Sequence, residues 1–210
     1  MPIPDEPRPE IWVHEIIVPA LVLGSTQRTD VVDMVECDRR DVEVVRRRSG
    51  GGAVWLSPGE VTWIDVIIPA GGPGWADDIH RPMVWFGHHL ARAFADVGVE
   101  GVVVHDGAMV STAHSRLVCF DGLGPGELTT DGGRGAGKMV GISQRRTRSA
   151  ARLQCCWYSR HDHRDLTSLL VGAPDPAALR PVVTVGEGAG RSIPEAIAAS
   201  MGDLPISSPD

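Results

Sequence analysis

The residues with chemistry to offer lie in two glycine-rich, basic stretches. The first runs Arg46-Arg47-Arg48-Ser49-Gly50-Gly51-Gly52-Ala53-Val54. Val42, Val44 and Val45 before it, and residues 61–68 after it, read as core strands, so this stretch is a turn between them. Three consecutive glycines lose much backbone entropy on folding, and suit a place where the chain approaches a ligand closely or takes a positive φ. Free amides on such a turn form an anion-binding concavity, to which the arginines add fixed charge. From spacing alone, a flexible hairpin tip with a solvated basic face is an equal reading. The second stretch, residues 131–141, holds Gly132-x-x-x-x-Gly137-Lys138, the outline of a phosphate loop. That loop needs Ser or Thr after the lysine to hold Mg²⁺; here Met139 follows, and residues 127–131 are too polar for the preceding strand. No metal site is expected. Cys37, Cys119, Cys155 and Cys156 lack zinc-type spacing, and the adjacent His88 and His89 point to different parts of a helix surface. His161-Asp162-His163 reads as a solvated turn.

The elements that must position these residues follow from periodicity. Residues 11–18 and 20–23 read as strands broken at Pro19, and residues 29–40 as a short helix. Residues 61–68 alternate, with Thr62, Ile64, Val66 and Ile68 on one face and Val61, Trp63, Asp65 and Ile67 on the other. Asp65 thus shares an apolar face, as a buried partner of the arginine cluster or as a sheet-edge residue facing water. Met83, Phe86, Leu90, Phe94 and Val97 recur at helical spacing over residues 82–97. Residues 102–104, 115–120 and 151–158 read as strands, the last pointing Cys155 and Cys156 to opposite faces. Residues 165–171 read as helical. Ser192-Ile193-Pro194-Glu195 reads as a capping box opening a helix to Met201.

The chain has 210 residues with 42% hydrophobic and 22% charged content, which suits one folded unit with a sizeable core. Residues 1–10 read as a disordered lead-in, 11–204 as a single catalytic domain and 205–210 as a tail. A net charge of −7 argues against a broad nucleic-acid footprint. No long apolar run suits a membrane span, and the proline-rich acidic start is unlike a signal peptide, so a cytoplasmic protein with free thiols is expected.

Arg46 to Val54 resembles the Arg-Arg-x-Ser-Gly-Gly-Gly-x-Val signature of the lipoate–protein ligase A family, which includes octanoyltransferases and is related to biotin protein ligases. Lys138-x-x-Gly141-x-Ser143-Gln144-x-Arg146 resembles that family's Lys-x-x-Gly-Ser-Ala-Gln-x-Arg strand. Leu21-Val22-Leu23-Gly24-Ser25-Thr26-Gln27 resembles its first hairpin, and Val118-Cys119-Phe120 with Glu127 resembles the cysteine-using octanoyltransferases. The likeness covers residues 20–170. Departures are Leu56-Ser57 where the family carries His-Asp, Ile142-Ser143 in the lysine strand, extra residues before Lys138, and no helix ahead of the first strand.

The resemblance implies an α+β fold: a mixed, mainly antiparallel sheet with packed helices. It implies Cys119 and Lys138 as catalytic residues, and Arg46, Arg47, Ser49, Gly50, Gly51, Gly52, Glu127, Gly141, Ser143 and Gln144 as substrate-binding. Cys119 would accept an octanoyl or lipoyl group as a thioester and pass it to a lysine of a lipoyl domain. A nearby cation favours a thiolate, and Lys138 would bond the acyl oxygen. This route needs no cofactor. The alternative is an ATP- and Mg²⁺-dependent ligase in which Lys138 contacts a lipoyl-adenylate and Cys119 is a bystander. A second alternative is a non-catalytic acyl- or carrier-binding relative. The implied partners are lipoyl-domain proteins (glycine cleavage H protein or 2-oxoacid dehydrogenase E2 subunits), with acyl carrier protein as donor, and neither nucleic acid nor membrane.

Overall fold

The computed structural model describes residue 3, residues 6–130 and residues 136–208. Among the described residues the strands are β1 (Glu10–His14), β2 (Ala20–Leu23), β3 (Glu43–Arg46), β4 (Val54–Leu56), β5 (Val61–Pro69), β6 (Val102–Val104), β7 (Leu128–Thr130), β8 (Lys138–Arg146), β9 (Ala150–Tyr158) and β10 (Ile206–Ser207). The α-helices among the described residues are α1 (Met34–Arg39), α2 (His80–Asp96), α3 (His163–Thr167) and α4 (Glu187–Ser200). A larger sheet runs β10-β1-β5-β9-β8-β7-β6 and a smaller one β3-β2-β4. Pairing is antiparallel except for β1 with β10 and β2 with β3. This is the expected α+β architecture.

The alternation in β5 builds the layers. Ile64, Val66 and Ile68 face a core formed with Phe86, Leu90 and Phe94 of α2 and Ile193 and Ile197 of α4. Trp63 faces the other way, onto Ala20, Val22, Val54 and Leu56 of the small sheet. Each fully buried side chain of this size contributes about 1.5–3 kcal/mol. Cys155 joins the helix-side core and Cys156 the sheet–sheet core, the opposed orientation that neighbouring strand residues require. The far side of the small sheet packs Leu21, Leu23 and Trp55 against Leu166, Leu169 and Leu170.

Several local expectations are corrected. β3 is a largely exposed edge strand, paired on one side only. Residues 29–40 split into a 3-10 turn (Thr29–Val31) and α1, whose start is capped by the Asp33 carboxylate accepting from the Glu36 amide at 3.0 Å. Residues 115–120 are no strand: one parallel bridge, Ala53 to Val118, leads into a 3-10 turn, Cys119–Asp121. α4 opens at Glu187, so Pro194 of the supposed capping box lies inside the helix. The lead-in ends in β1 at Glu10, and the tail contains β10, with Ile206 in register with Ile11. Asp65 is fully buried, yet its partners are His14, at 2.5 Å, and Arg152, not the arginine cluster or water. Burial pushes its carboxyl up, but the His14 hydrogen bond and the Arg152 charge outweigh this and leave it below the usual range. Residues 131–135, part of the second glycine-rich stretch, lie outside the described residues.

Candidate active site

The turn between β3 and β4 is wound around Arg47. Its side chain is buried, and its Nη2 donates to the carbonyls of Gly50 and Gly52, each at 2.8 Å. Nε reaches Gly50 O at 3.2 Å and Nη1 reaches Val22 O at 3.4 Å. Ser49 Oγ bonds Ser143 Oγ and donates to Gln154 Oε1, both at 2.9 Å, which ties the turn to β8 and β9. The glycines at the apex are required. Gly51 has φ +102°, and a Cβ there would lie 2.8 Å from Arg47 Nη2. A Cβ on Gly52 would lie 2.7 Å from the Cys119 amide nitrogen. Arg46, expected to bind substrate, points elsewhere: its Nη1 donates to the carbonyls of Gly24, at 2.9 Å, and Gln27, which braces the Gly24–Gln27 turn.

The close approach of Gly52 seats the cysteine. Ala53 N donates to Leu117 O at 2.8 Å and Cys119 N donates to Ala53 O at 3.0 Å, so the glycine turn and the Cys119 segment run as one short parallel ladder. Cys119 is half-buried, whereas Cys37, Cys155 and Cys156 are buried. Burial pushes the thiols of all three upward. Arg47 Nη2 lies 3.9 Å from Cys119 Sγ.

Lys138 opens β8 and is 1% exposed. Its ammonium contacts Glu127 Oε2 at 2.7 Å, and donates to Cys119 O and Gly122 O, each at 3.1 Å. An ammonium has three donors, and here each has a protein acceptor. Glu127 is held in turn by the Gly124 amide at 2.6 Å and the Ile142 amide at 2.9 Å. Lys138 therefore fastens the loop that carries Cys119. Bonding an acyl oxygen, as expected of it, would require giving up one of these contacts. Gly141 leaves room for this arrangement, since a Cβ there would lie 3.0 Å from the Phe120 ring and 3.4 Å from Lys138 Cε.

A cavity of about 530 Å³ opens above these groups. Gly50, Gly51, Gly52, Cys119, Glu127, Lys138, Ser143 and Gln144 all line it. Arg47 and Gly141 instead line a void of only about 10 Å³ beneath Cys119. Ser49 is buried behind the wall, through its bonds to Ser143 and Gln154. Sequence reasoning missed the apolar walls: Ile79, Met83, Met109, Pro125 and Ile142. In sequence Met83 reads as one member of the apolar stripe of residues 82–97, and Met109 sits in a loop without periodicity. The Gln144 Nε2 is buried with no hydrogen-bond partner among the described residues, and Arg146 stacks on Trp75 with its guanidinium carbon 4.1 Å from the ring centroid.

Behind Phe120, His161 is packed 4.5 Å from the Tyr158 ring centroid and hydrogen-bonds His163 at 3.2 Å. It is no solvated turn: burial, reinforced by the neighbouring His163, lowers its pKa to about 4. Among the described residues, no group of three or more His, Cys, Asp or Glu could hold a metal ion, and no helix is long and apolar enough to cross a membrane.

Residues 5–192 match the lipoyl protein ligase A/B catalytic domain. The chain belongs to this family. Family members are enzymes, and the lipoate–protein ligase likeness carried by the glycine turn and the Lys138 strand is thereby shown. Solved structures share the fold of the lipoyl protein ligase domain at low identity. A Thermoplasma acidophilum protein described as a candidate lipoate protein ligase, with bound lipoic acid, superposes with a TM-score of 0.70 at 12% identity, covering 97% of this chain and 77% of that one. The bipartite lipoate protein ligase of the same organism, studied with its E2 lipoyl domain, gives 0.67 at 13% identity, covering 97% and 74%. A lipoate-protein ligase A bound with ATP gives 0.65 at 14% identity, covering 97% and 75%. No curated protein matches the chain significantly.

Proposed function

We propose that this lipoyl protein ligase-type domain is an acyltransferase of protein lipoylation, passing an octanoyl (or lipoyl) group through a Cys119 thioester to a lysine of a lipoyl domain. One observation carries the reading: the half-exposed cysteine, among three buried ones, stands in the wall of a cavity lined by Ile79, Met83, Met109 and Ile142. In the first half-reaction Sγ attacks the acyl carbonyl of a thioester donor such as acyl carrier protein; the carrier sulfur leaves and takes up a proton. In the second, the neutral lysine amine attacks the enzyme thioester, an amide forms, and Sγ is released as the amine gives up a proton. Lys138 and Glu127 hold the loop that presents the sulfur. A neighbour studied with its E2 lipoyl domain supports an acceptor of that class.

A neighbour bound with ATP keeps the adenylate route as the competing outcome. Intact-mass spectrometry after incubation with octanoyl carrier protein and no ATP tests the choice. A hydroxylamine-labile acyl adduct on Cys119 is expected. Absence of the adduct, with lipoyl-domain modification appearing only when free acid, Mg²⁺ and ATP are supplied, would overturn the thioester route in favour of the ligase.

A further inference from the structure

Arg47 is buried, 7% exposed, and the oxygens its guanidinium donates to are all neutral carbonyls, those of Gly50, Gly52 and Val22. Among the described residues no carboxylate lies within ion-pair distance of it. A buried cation without a counter-charge is costly. A group able to become an anion, the Cys119 thiol, lies 3.9 Å from Nη2. Other ionisable groups near that sulfur are engaged elsewhere: Arg146, which with His80 lines the same cavity, donates to the Ala76 and Asp78 carbonyls and stacks on Trp75. Lys138 is neutralised by Glu127 at 2.7 Å, and its bond in this segment goes to the Cys119 carbonyl. Cys156 and Tyr158 of β9 are kept protonated by burial. Asp121, in the same 3-10 turn, keeps its negative charge, with its carboxylate oxygens turned to the Arg180 amide at 2.7 Å and to Thr112.

We propose that Arg47, and not Lys138, is the electrostatic partner of the Cys119 sulfur. The same guanidinium that draws the Gly50 and Gly52 carbonyls inward stabilises the negative charge on Sγ, so turn geometry and nucleophile activation share one residue. Lys138 and Glu127 are positioning residues that fix the loop. This deepens the acyl-transfer reading and rests on Cys119 being its nucleophile.

The test needs no acyl donor, so it is independent of that reading's own assay. Alkylation of Cys119 by iodoacetamide is followed by peptide mass, with the three buried cysteines as internal controls. Arg47→Met is expected to slow alkylation on the order of tenfold near pH 7 and to approach the wild-type rate near pH 10, where accessible thiols are ionised anyway. Arg47→Lys recovers much of the rate near neutrality. The double variant Lys138→Met/Glu127→Gln removes the pair without stranding a charge; its acyl transfer falls, but its alkylation stays close to wild type. Equal slowing of Arg47→Met at both pH values would confine Arg47 to shaping the turn and overturn the proposal. So would a wild-type rate in Arg47→Met, or slowing of the double variant near neutrality alone. A second measurement works on the wild-type protein should Arg47→Met not fold. A cation at the sulfur raises the ratio of iodoacetate to iodoacetamide rates above that of free cysteine, in the wild type and the double variant alike. A ratio at or below that of free cysteine overturns the assignment.

Discussion

Cys119→Ser changes one atom in a site where the fold does not depend on sulfur: the residue's ladder bond is made by its amide, to Ala53 O. The variant is expected to melt like the wild type and to form no acyl adduct by intact mass. Lys138 behaves differently because it is paired. Lys138→Ala leaves the Glu127 carboxylate buried, and loss of one partner of a buried pair costs about 3–5 kcal/mol. Lys138→Met/Glu127→Gln recovers most of that stability, which urea unfolding of the two variants reads directly. If Lys138 were only a solvated loop charge, the single variant would be as stable as the wild type, contrary to its 1% exposure. The residue scale is also where sequence reading reached furthest. Cys119, Lys138, Glu127, Ser143, Gln144 and the three glycines converge on one cavity. Arg46 was legible as a cation but not by destination, because its role depends on the Gly24 and Gln27 carbonyls, 22 and 19 positions earlier.

The elements were legible where one face is buried and ambiguous where it is not. β5 and β9 alternate cleanly because β5 divides its two faces between different cores, and α2 carries a continuous apolar stripe. Residues 115–120 carry the same apolar content but serve as a ladder rung and a 3-10 turn, a distinction made by their partner, Ala53, and invisible locally. β3 has a strand's composition, and only its edge position explains its exposure. The short ladder of Ala53 and Val118 yields a prediction about this scale. In Gly52→Ala the new Cβ would meet backbone at 2.7 Å, on the Cys119 amide and the Val118 carbonyl carbon. Relief by moving the turn off the ladder costs about 1–3 kcal/mol. It also displaces Sγ, and a shift near 1 Å can cost about 100-fold in rate. Gly50→Ala, whose Cβ meets nothing within 4 Å, should leave stability intact. Thermal melts alongside acyl-transfer rates check both; equal behaviour of the two variants would mean that the ladder does not set the nucleophile's position.

Across the whole molecule, acid stability should show two separate windows, because two buried titrating groups have their pKa values moved over different ranges. His161 lies behind the site, its pKa lowered from 6.5 to about 4 by burial and by His163, with Asp162 opposing. The unfolded chain therefore binds that proton first. Stability is full above about pH 6.5, falls as the pH drops towards 4, and loses at most about 3 kcal/mol through this group. Asp65, on β5, is depressed below its ordinary 3.8 despite burial, because His14 and Arg152 hold the carboxylate. Its contribution is present above that value and is lost only at lower pH, as the proton reaches the folded state too. Urea unfolding at a series of pH values resolves the two. His161→Phe keeps an aromatic ring against Tyr158 and cannot titrate, so its stability should stay flatter between pH 6.5 and 4 than the wild type's, whatever its absolute value. Asp65→Asn should leave that upper window unchanged and weaken the dependence below it. Because His161 packs within 6.5 Å of the Phe120 ring, and Phe120 follows Cys119, the upper window should appear in acyl-transfer rates as well. Both rates fall with pH as the thiol and the acceptor amine take up protons; a wild-type rate that falls more steeply between pH 6.5 and 4 than the His161→Phe rate would tie the histidine's neutrality to the seating of the Cys119 loop. Identical pH profiles in the two proteins would separate them.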